Sequence, residues 1–481
     1  MERFSWTQEA INYSWRELAR RAGIPKGNSH DNGFEALGLP VCYDHPDRVS
    51  LNRPGIIVLP CTIESWYGLL DREQNTLNWV SISDVMPTDE EMHNNESIPI
   101  LFWGEGYEDG HKPIAEQRED GTIVFYVDII ATTFFMLSRW EEIVSPTRDQ
   151  HDRFPGYASV AFRHGFLDRP LVDEYALILR SWIKKILPQW VPLPQQFTVK
   201  LSHDIDNLRE FPLKWRTLLS IGGDLLKRHS IQLAWYHSSS MLLELLNPKR
   251  SRYFYNIQLL ANLSISYGLE STFNFMTADP GPFDNRYNIF SPSIKKCINE
   301  LRKQGLYIGF HPGYSTYNNP TLLAIEKARM DKVLGDIQYG GRQHYLRFKV
   351  PDTWRYLEQV GLSYDSSMGY ADHEGFRCGT CHPFHPFDIQ QDRVLCLLEW
   401  PLIVQDTTLQ TYRKLTPQQA KIQILTLAQR CLRAGGVFTF LWHNSSLNGP
   451  WLKWGDMYKE VLASLRAIQA ESSSIMSDYS E

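Results

Sequence analysis

Lys200-Leu201-Ser202-His203-Asp204-Ile205-Asp206-Asn207 decides how the second half of this chain is read. The stretch 197–203 has the pattern of a buried strand, and it runs into a polar end. Side chains alternate along an extended segment, so Asp204 and Asp206 share one face while Ile205 points the other way. Two carboxylates side by side are not both comfortably ionised without a cation.

Working outward, further strand patterns fall at 271–276, 306–311, 344–349, 394–400 and 437–443, with helical patterns between them. Ser291-Pro292 opens one helix, with Ile294, Cys297, Ile298 and Leu301 on one face and Gly305 as its stop. Thr416-Pro417 opens another that ends at Gly435-Gly436. This strand-then-helix alternation predicts a parallel sheet or barrel.

Such folds assemble active sites at the C-terminal ends of their strands. Two more strand ends carry histidine there: Ile308-Gly309-Phe310-His311-Pro312 and Phe440-Leu441-Trp442-His443-Asn444. Aspartate oxygen and histidine nitrogen suit zinc or another divalent first-row ion.

At 481 residues the chain is long enough for two domains. Leu187-Pro188-Gln189-Trp190-Val191-Pro192-Leu193-Pro194 breaks the periodicity. We therefore expect an N-terminal α/β or α+β domain over 1–190, a second unit over 196–470 and a frayed, disordered tail over 471–481. In the first unit, strand patterns at 55–59, 98–103 and 122–127 alternate with helical ones at 6–20 and 130–142. The polar cluster around Arg139-Trp140-Glu141-Glu142, Asp152-Arg153 and His164 reads as a solvated helix end and a domain-packing loop.

The formal charge of −6 argues against a nucleic-acid partner. No secretory signal pattern and no run of 18 apolar residues is seen, so a cytoplasmic location is expected. Seven scattered cysteines do not form a disulfide framework. Cys378-Gly379-Thr380-Cys381 has redox or half-zinc spacing but lacks a second pair, and neither role is expected.

The segment 207–252 exceeds what one crossover helix needs. Its eight Lys and Arg against three Asp and Glu leave it net positive in an acidic protein, with leucines interleaved. Two readings stay open: peripheral contact with a membrane or lipid-linked glycan, or a helical pair with its basic face in water.

The order of these residues resembles the polysaccharide-deacetylase family, also called the NodB-homology domain or carbohydrate esterase family 4, over roughly 197–448. The paired-aspartate motif looks like His203-Asp204-Ile205-Asp206, and the strand that follows it looks like Ser271-Thr272-Phe273-Asn274-Phe275. The histidine motif falls on His311-Pro312-Gly313-Tyr314-Ser315, an Arg-x-Pro-Tyr motif on Arg342-Gln343-His344-Tyr345, and the last on Leu441-Trp442-His443. Gly375-Phe376-Arg377-Cys378-Gly379-Thr380, Leu398-Glu399-Trp400-Pro401-Leu402 and N-terminal phrases near Arg139 and His164 resemble an intracellular branch with an N-terminal domain of unknown role.

The resemblance implies a distorted (β/α) barrel of about seven strands and removal of an acetyl group from an acetylated carbohydrate. It implies metal ligands at Asp206 and His311, a general base at Asp204, a proton donor at His443 and Arg342 holding Asp204 ionised. The family's second ligand histidine, four residues after the first, is Ser315 here. His203, His344, Ser315 or a second water is left to complete the set. Asp365 or Asp406 orients His443; Arg377 and Trp442 are candidate substrate contacts. The alternatives are a catalytically degenerate glycan-binding or assembly protein and an amidase acting on another non-peptide C–N bond.

Overall fold

Thr198–Ile205 is the central strand of a five-stranded parallel sheet ordered Tyr307–His311, Glu270–Met276, Thr198–Ile205, Val437–Leu441, Val404–Gln405. The computed structural model describes residues 6–25, 34–82, 97–107, 113–210, 214–227, 229–246, 251–284 and 287–478, without side chains for 34–35, 214–217 and 474–478. One face of the central strands is apolar, with Val199, Leu201, Phe273 and Phe275 buried, while the other carries Ser202, Asp204, Thr272 and Asn274. The helix Pro292–Lys303 buries Ile294, Ile298 and Leu301, and Pro417–Arg433 starts with a Thr416–Gln419 capping box. Register aligns the strand ends: Asp204 lies opposite Asn274, and His311 opposite Met276.

The expected barrel is not shown as a closed ring; what the hydrogen bonds define is a five-stranded parallel sheet. Beyond Tyr307–His311 the ladder continues only as single bridges from Gly341 to Phe310 and Asp365. It then meets a two-stranded pair, Tyr364–Asp365 with Leu398–Glu399. The segment from Leu398 to Gln405 reaches both edges, but its two short pairings are separated by Trp400-Pro401-Leu402-Ile403. Pro401 has no N–H to offer a ladder.

The strand expected at 344–349 is absent. His344–Leu346 is a 3₁₀ turn in which Tyr345 and Leu346 take φ of 61° and 54°, which an extended strand does not tolerate. The last helix, Leu452–Asp478, continues past Glu471 instead of fraying there; residues 479–481 lie outside the described residues.

The first half carries a mixed sheet, ordered Phe34–Ala36, Leu39–Tyr43, Ile56–Val58, Ile123–Phe125, Ala115–Gln117, with antiparallel outer pairs and parallel inner ones. One apolar cluster runs through both halves, from Ala10 to Leu465. Arg139, Glu141 and Glu142 are not a solvated helix end: all three are buried. Arg139 breaks the helix with a φ of 54° and turns inward to Glu142 and the Tyr370 hydroxyl.

The insert is a helical pair, Lys214–Leu226 and Ile231–Leu246. Arg228, Lys249 and Arg250 lie outside the described residues, as do the side chains of Lys214 and Arg216. Among the described residues, no helix is long and apolar enough to cross a membrane.

Candidate functional site

At the C-terminal edge of the parallel sheet, one carboxylate and two imidazoles converge. Asp206, His311 and His344 bring one ligand atom each within 4.8 Å of one another. The Asp206 Oδ1 lies 3.2 Å from His311 Nε2 and 3.8 Å from His344 Nε2. Each ring is fixed through its other nitrogen. His311 Nδ1 donates to the Arg342 carbonyl at 2.5 Å, and His344 Nδ1 to Asp284 Oδ1 at 3.2 Å. Both Nε2 lone pairs are thereby left facing Asp206, the arrangement that orients ligand histidines in metal sites. Asp206 Oδ1 is buried without a well-formed hydrogen bond, an orphan that a cation would satisfy. The residues therefore fit a divalent ion with one oxygen and two nitrogen donors.

Asp204 is buried beside this group. Its Oδ1 accepts from Asn274 Nδ2 at 2.7 Å and from Arg342 Nη1 at 3.1 Å. Burial works to raise its pKa, but the Arg342 guanidinium and His311 outweigh that and hold the carboxyl below its usual value. Asp206 is likewise lowered: burial is opposed by the nearness of His311, His344 and His443. Arg342 is held in turn by the Ser366 carbonyl, the Ser366 hydroxyl and Ser202.

Asn274 has room because residue 309 is glycine. A Cβ there would meet Asn274 Oδ1 at 2.0 Å. The glycine on one strand thus admits the amide that holds Asp204 on the next strand but one.

Across the cavity, His443 Nδ1 donates to Asp406 Oδ1 at 2.6 Å, and the His443 backbone N–H to Asp406 Oδ2 at 2.8 Å. Its Nε2 stands 3.8 Å from Asp206 Oδ2. Burial alone would lower the His443 pKa, but Asp406, with Asp206 and Asp204 behind it, pushes it up to about 10. Asp406 rather than Asp365 therefore orients His443. Asp365 instead accepts from the Ser367 hydroxyl and lies beside Glu399.

Three other candidates stand apart. His203 points to the opposite face of its strand, its Nδ1 bonded to the Trp442 carbonyl and its ring against Phe273. Burial pushes its pKa down to about 4. Ser315 is exposed at the start of a 3₁₀ turn and does not line the cavity. Trp442 is buried and stacked on Tyr458 at 4.4 Å, leaving no face for a sugar.

Arg377 is also withdrawn from the cavity. It is buried against Glu142 at 2.6 Å, joining the two halves. The Cys378 and Cys381 thiols are buried with pKa values raised by desolvation, so neither is a reactive thiolate. Asp173, Cys381 and His382 also come within ligand distance of one another. There Asp173 is already taken up by Arg21, Thr380 and the Cys381 backbone, a structural network that includes its own cation.

The cavity between these groups measures about 300 Å³. Sequence reading missed much of its wall. Phe283, Tyr345 and Tyr412 line it, and Arg153, from the first half, reaches in to bond the Tyr345 carbonyl and the Tyr412 hydroxyl. Asp284 and Asn274 were missed as supports. The visible hint at Tyr345 and Tyr412 was their place next to His344 and six residues after Asp406; none marked Asp284.

Residues 71–188 match a family of unknown function, DUF7033, a stretch that includes Arg153. No curated protein matches the chain. Among solved structures, a Mycobacterium smegmatis protein assigned as a polysaccharide deacetylase is similar at 15% identity and a TM-score of 0.35, over 57% of this chain and 86% of its own. A likeness of that size carries no argument about function.

Proposed function

We propose that the chain is a metal-dependent hydrolase that removes an N-acetyl or O-acetyl group from a sugar of a polysaccharide or of its nucleotide- or lipid-linked precursor. The observation that carries this reading is the convergence of Asp206, His311 and His344 beside Asp204, with His443 opposite, around one cavity. The choice of an acetylated sugar rests on the motif order read from the sequence.

A divalent cation, best matched by zinc, would be held by Asp206, His311 and His344 and, when bound, would supply Lewis-acid polarisation of the acyl carbonyl and acidify water. Asp204 Oδ1 is occupied by Asn274 and Arg342, so its Oδ2, 3.9 Å from His311 Nε2, takes the proton from the attacking water. Protonated His443 gives its proton to the leaving nitrogen or oxygen, while Asp406 fixes its ring and carries the balancing charge. The degenerate reading drew on Ser315; the nearness of His344 to Asp206 and His311 supports the catalytic reading over it.

The test is acetate release from a panel of acetylated sugar nucleotides and glycans, with protein stripped by chelator and then restored with zinc. Release is expected only in the restored sample, falling by about a hundredfold or more in Asp204→Asn. Absence of release across the panel from fully loaded protein would overturn the proposal.

A further inference from the structure

The helical pair inserted after the Thr198–Ile205 strand is packed inside out. In the helix Lys214–Leu226, Leu218, Leu219, Leu225 and Leu226 recur at helical spacing and are 48–79% exposed, while Asp224 is fully buried. In Ile231–Leu246, Ile231, Trp235, Leu242 and Leu246 are 57–80% exposed, while His237 and Ser240 face inward. A surface helix in water does the reverse, burying its apolar stripe and presenting its charges.

Charge follows the same inversion. Each acid of 207–252 is tied to the inside. Asp224 bonds His237 Nδ1, Glu210 Oε1 lies 3.8 Å from His237 Nε2, and Glu244 Oε1 accepts from the Glu210 N–H and the Ser251 hydroxyl. Arg209 and Lys227 are exposed. The segment therefore offers a net positive outer charge beside an apolar face, in a chain of net charge −6.

At 13 and 16 residues, both helices are shorter than the roughly 20 needed to span a bilayer. Exposed leucine, an outward tryptophan and flanking basic residues are what an element lying in the boundary of an anionic membrane requires. We infer that the pair Lys214–Leu226 and Ile231–Leu246 seats on an anionic lipid surface, its leucines and Trp235 in the acyl boundary. The insert leaves the sheet directly after Asp206 and Asn207, both of which line the cavity, so docking brings the cavity rim close to the lipid. This surface stands independently of the hydrolase reading.

The test is co-sedimentation of the full-length protein with vesicles of phosphatidylcholine alone or mixed equally with phosphatidylglycerol. Binding to the anionic vesicles is expected, about tenfold weaker to the neutral ones, and reduced when NaCl is raised from about 0.1 M to about 0.5 M. The double variant Leu226→Ser, Trp235→Ser is expected to lose about tenfold in vesicle affinity with its thermal midpoint unchanged. No preference for anionic vesicles, or a preference untouched by the double variant, would overturn the inference. So would a dimer in sedimentation equilibrium that the same substitutions abolish, which would assign the face to a second copy of the chain.

Discussion

His344 Nε2 faces Asp206 Oδ1 across 3.8 Å, from a loop 33 residues after His311, whose own Nε2 lies 3.2 Å from the same oxygen. A second imidazole beside Asp206, which Ser315 does not offer, thus comes from the residues just after Arg342. Because Arg342 holds Asp204 and its backbone carbonyl holds His311, the segment 342–344 organises the proposed base and the proposed ligands together.

His344→Gln is expected to weaken zinc binding by about a hundredfold or more, and Asp284→Asn, which only loosens the His344 ring, by about tenfold. Competition against a chromogenic chelator measures both. Wild-type affinity in His344→Gln would remove His344 from the ligand set.

Asp406→Asn removes the charge that keeps His443 protonated. Its pKa should fall from about 10 toward the usual histidine value, and kcat should drop by roughly a thousandfold or more at neutral pH. NMR titration of His443 and the pH profile of acetate release report the two effects separately. An unchanged titration would show that Asp406 does not set the proton.

Gly309→Ala places a methyl group 2.0 Å from Asn274 Oδ1 and 3.1 Å from Thr272 Cγ2. The Asn274 bond to Asp204 should break, with a stability loss of about 1–3 kcal/mol. Asp204 should then titrate at higher pH, moving the acid limb of the activity profile upward. A variant with unchanged profile and midpoint in urea would contradict this.

Arg377→Ala removes one of the two guanidinium partners of buried Glu142, whose pKa is held down to about 2 because Arg377 and Arg139 outweigh burial; Arg139 stays on Oε1, and Oε2 loses its donor. A stability loss of about 1–3 kcal/mol is expected. The folded fraction should keep its kcat and KM, since Arg377 does not line the cavity. A selective rise in KM would restore Arg377 as a substrate contact.

His203 and His382 are buried with pKa values pushed down to about 4 by desolvation, against about 6.5 in the unfolded chain. The folded state therefore binds fewer protons than the unfolded one between these values. Stability is full above pH 6.5 and is lost as pH falls toward 4, by on the order of 2–3 kcal/mol per histidine. Urea midpoints at pH 7 and 5 test this, and His382→Gln should flatten part of the slope.

Local sequence was enough for the four strands near 198–205, 270–276, 307–311 and 437–441, because each has buried apolar residues at alternate positions and is bounded by turn residues. It was not enough at 344–349, where Tyr345 and Leu346 adopt left-handed backbone although their composition suits a strand. The insert stayed open for a related reason: its periodicity marks helices but not which face turns inward, and that face is chosen by Glu210, Asp224 and His237 meeting in space.

Residue order by itself determined the parallel α/β alternation and placed Asp204, Asp206, His311 and His443 at strand ends, since period-two alternation and strand direction are local properties. Only the tertiary structure put His344, and neither His203 nor Ser315, beside Asp206 and His311, Asp406 rather than Asp365 on His443, and Glu142 on Arg377. Those choices depend on which side chains from distant loops share a few ångströms of buried space, a quantity that no spacing along the chain encodes.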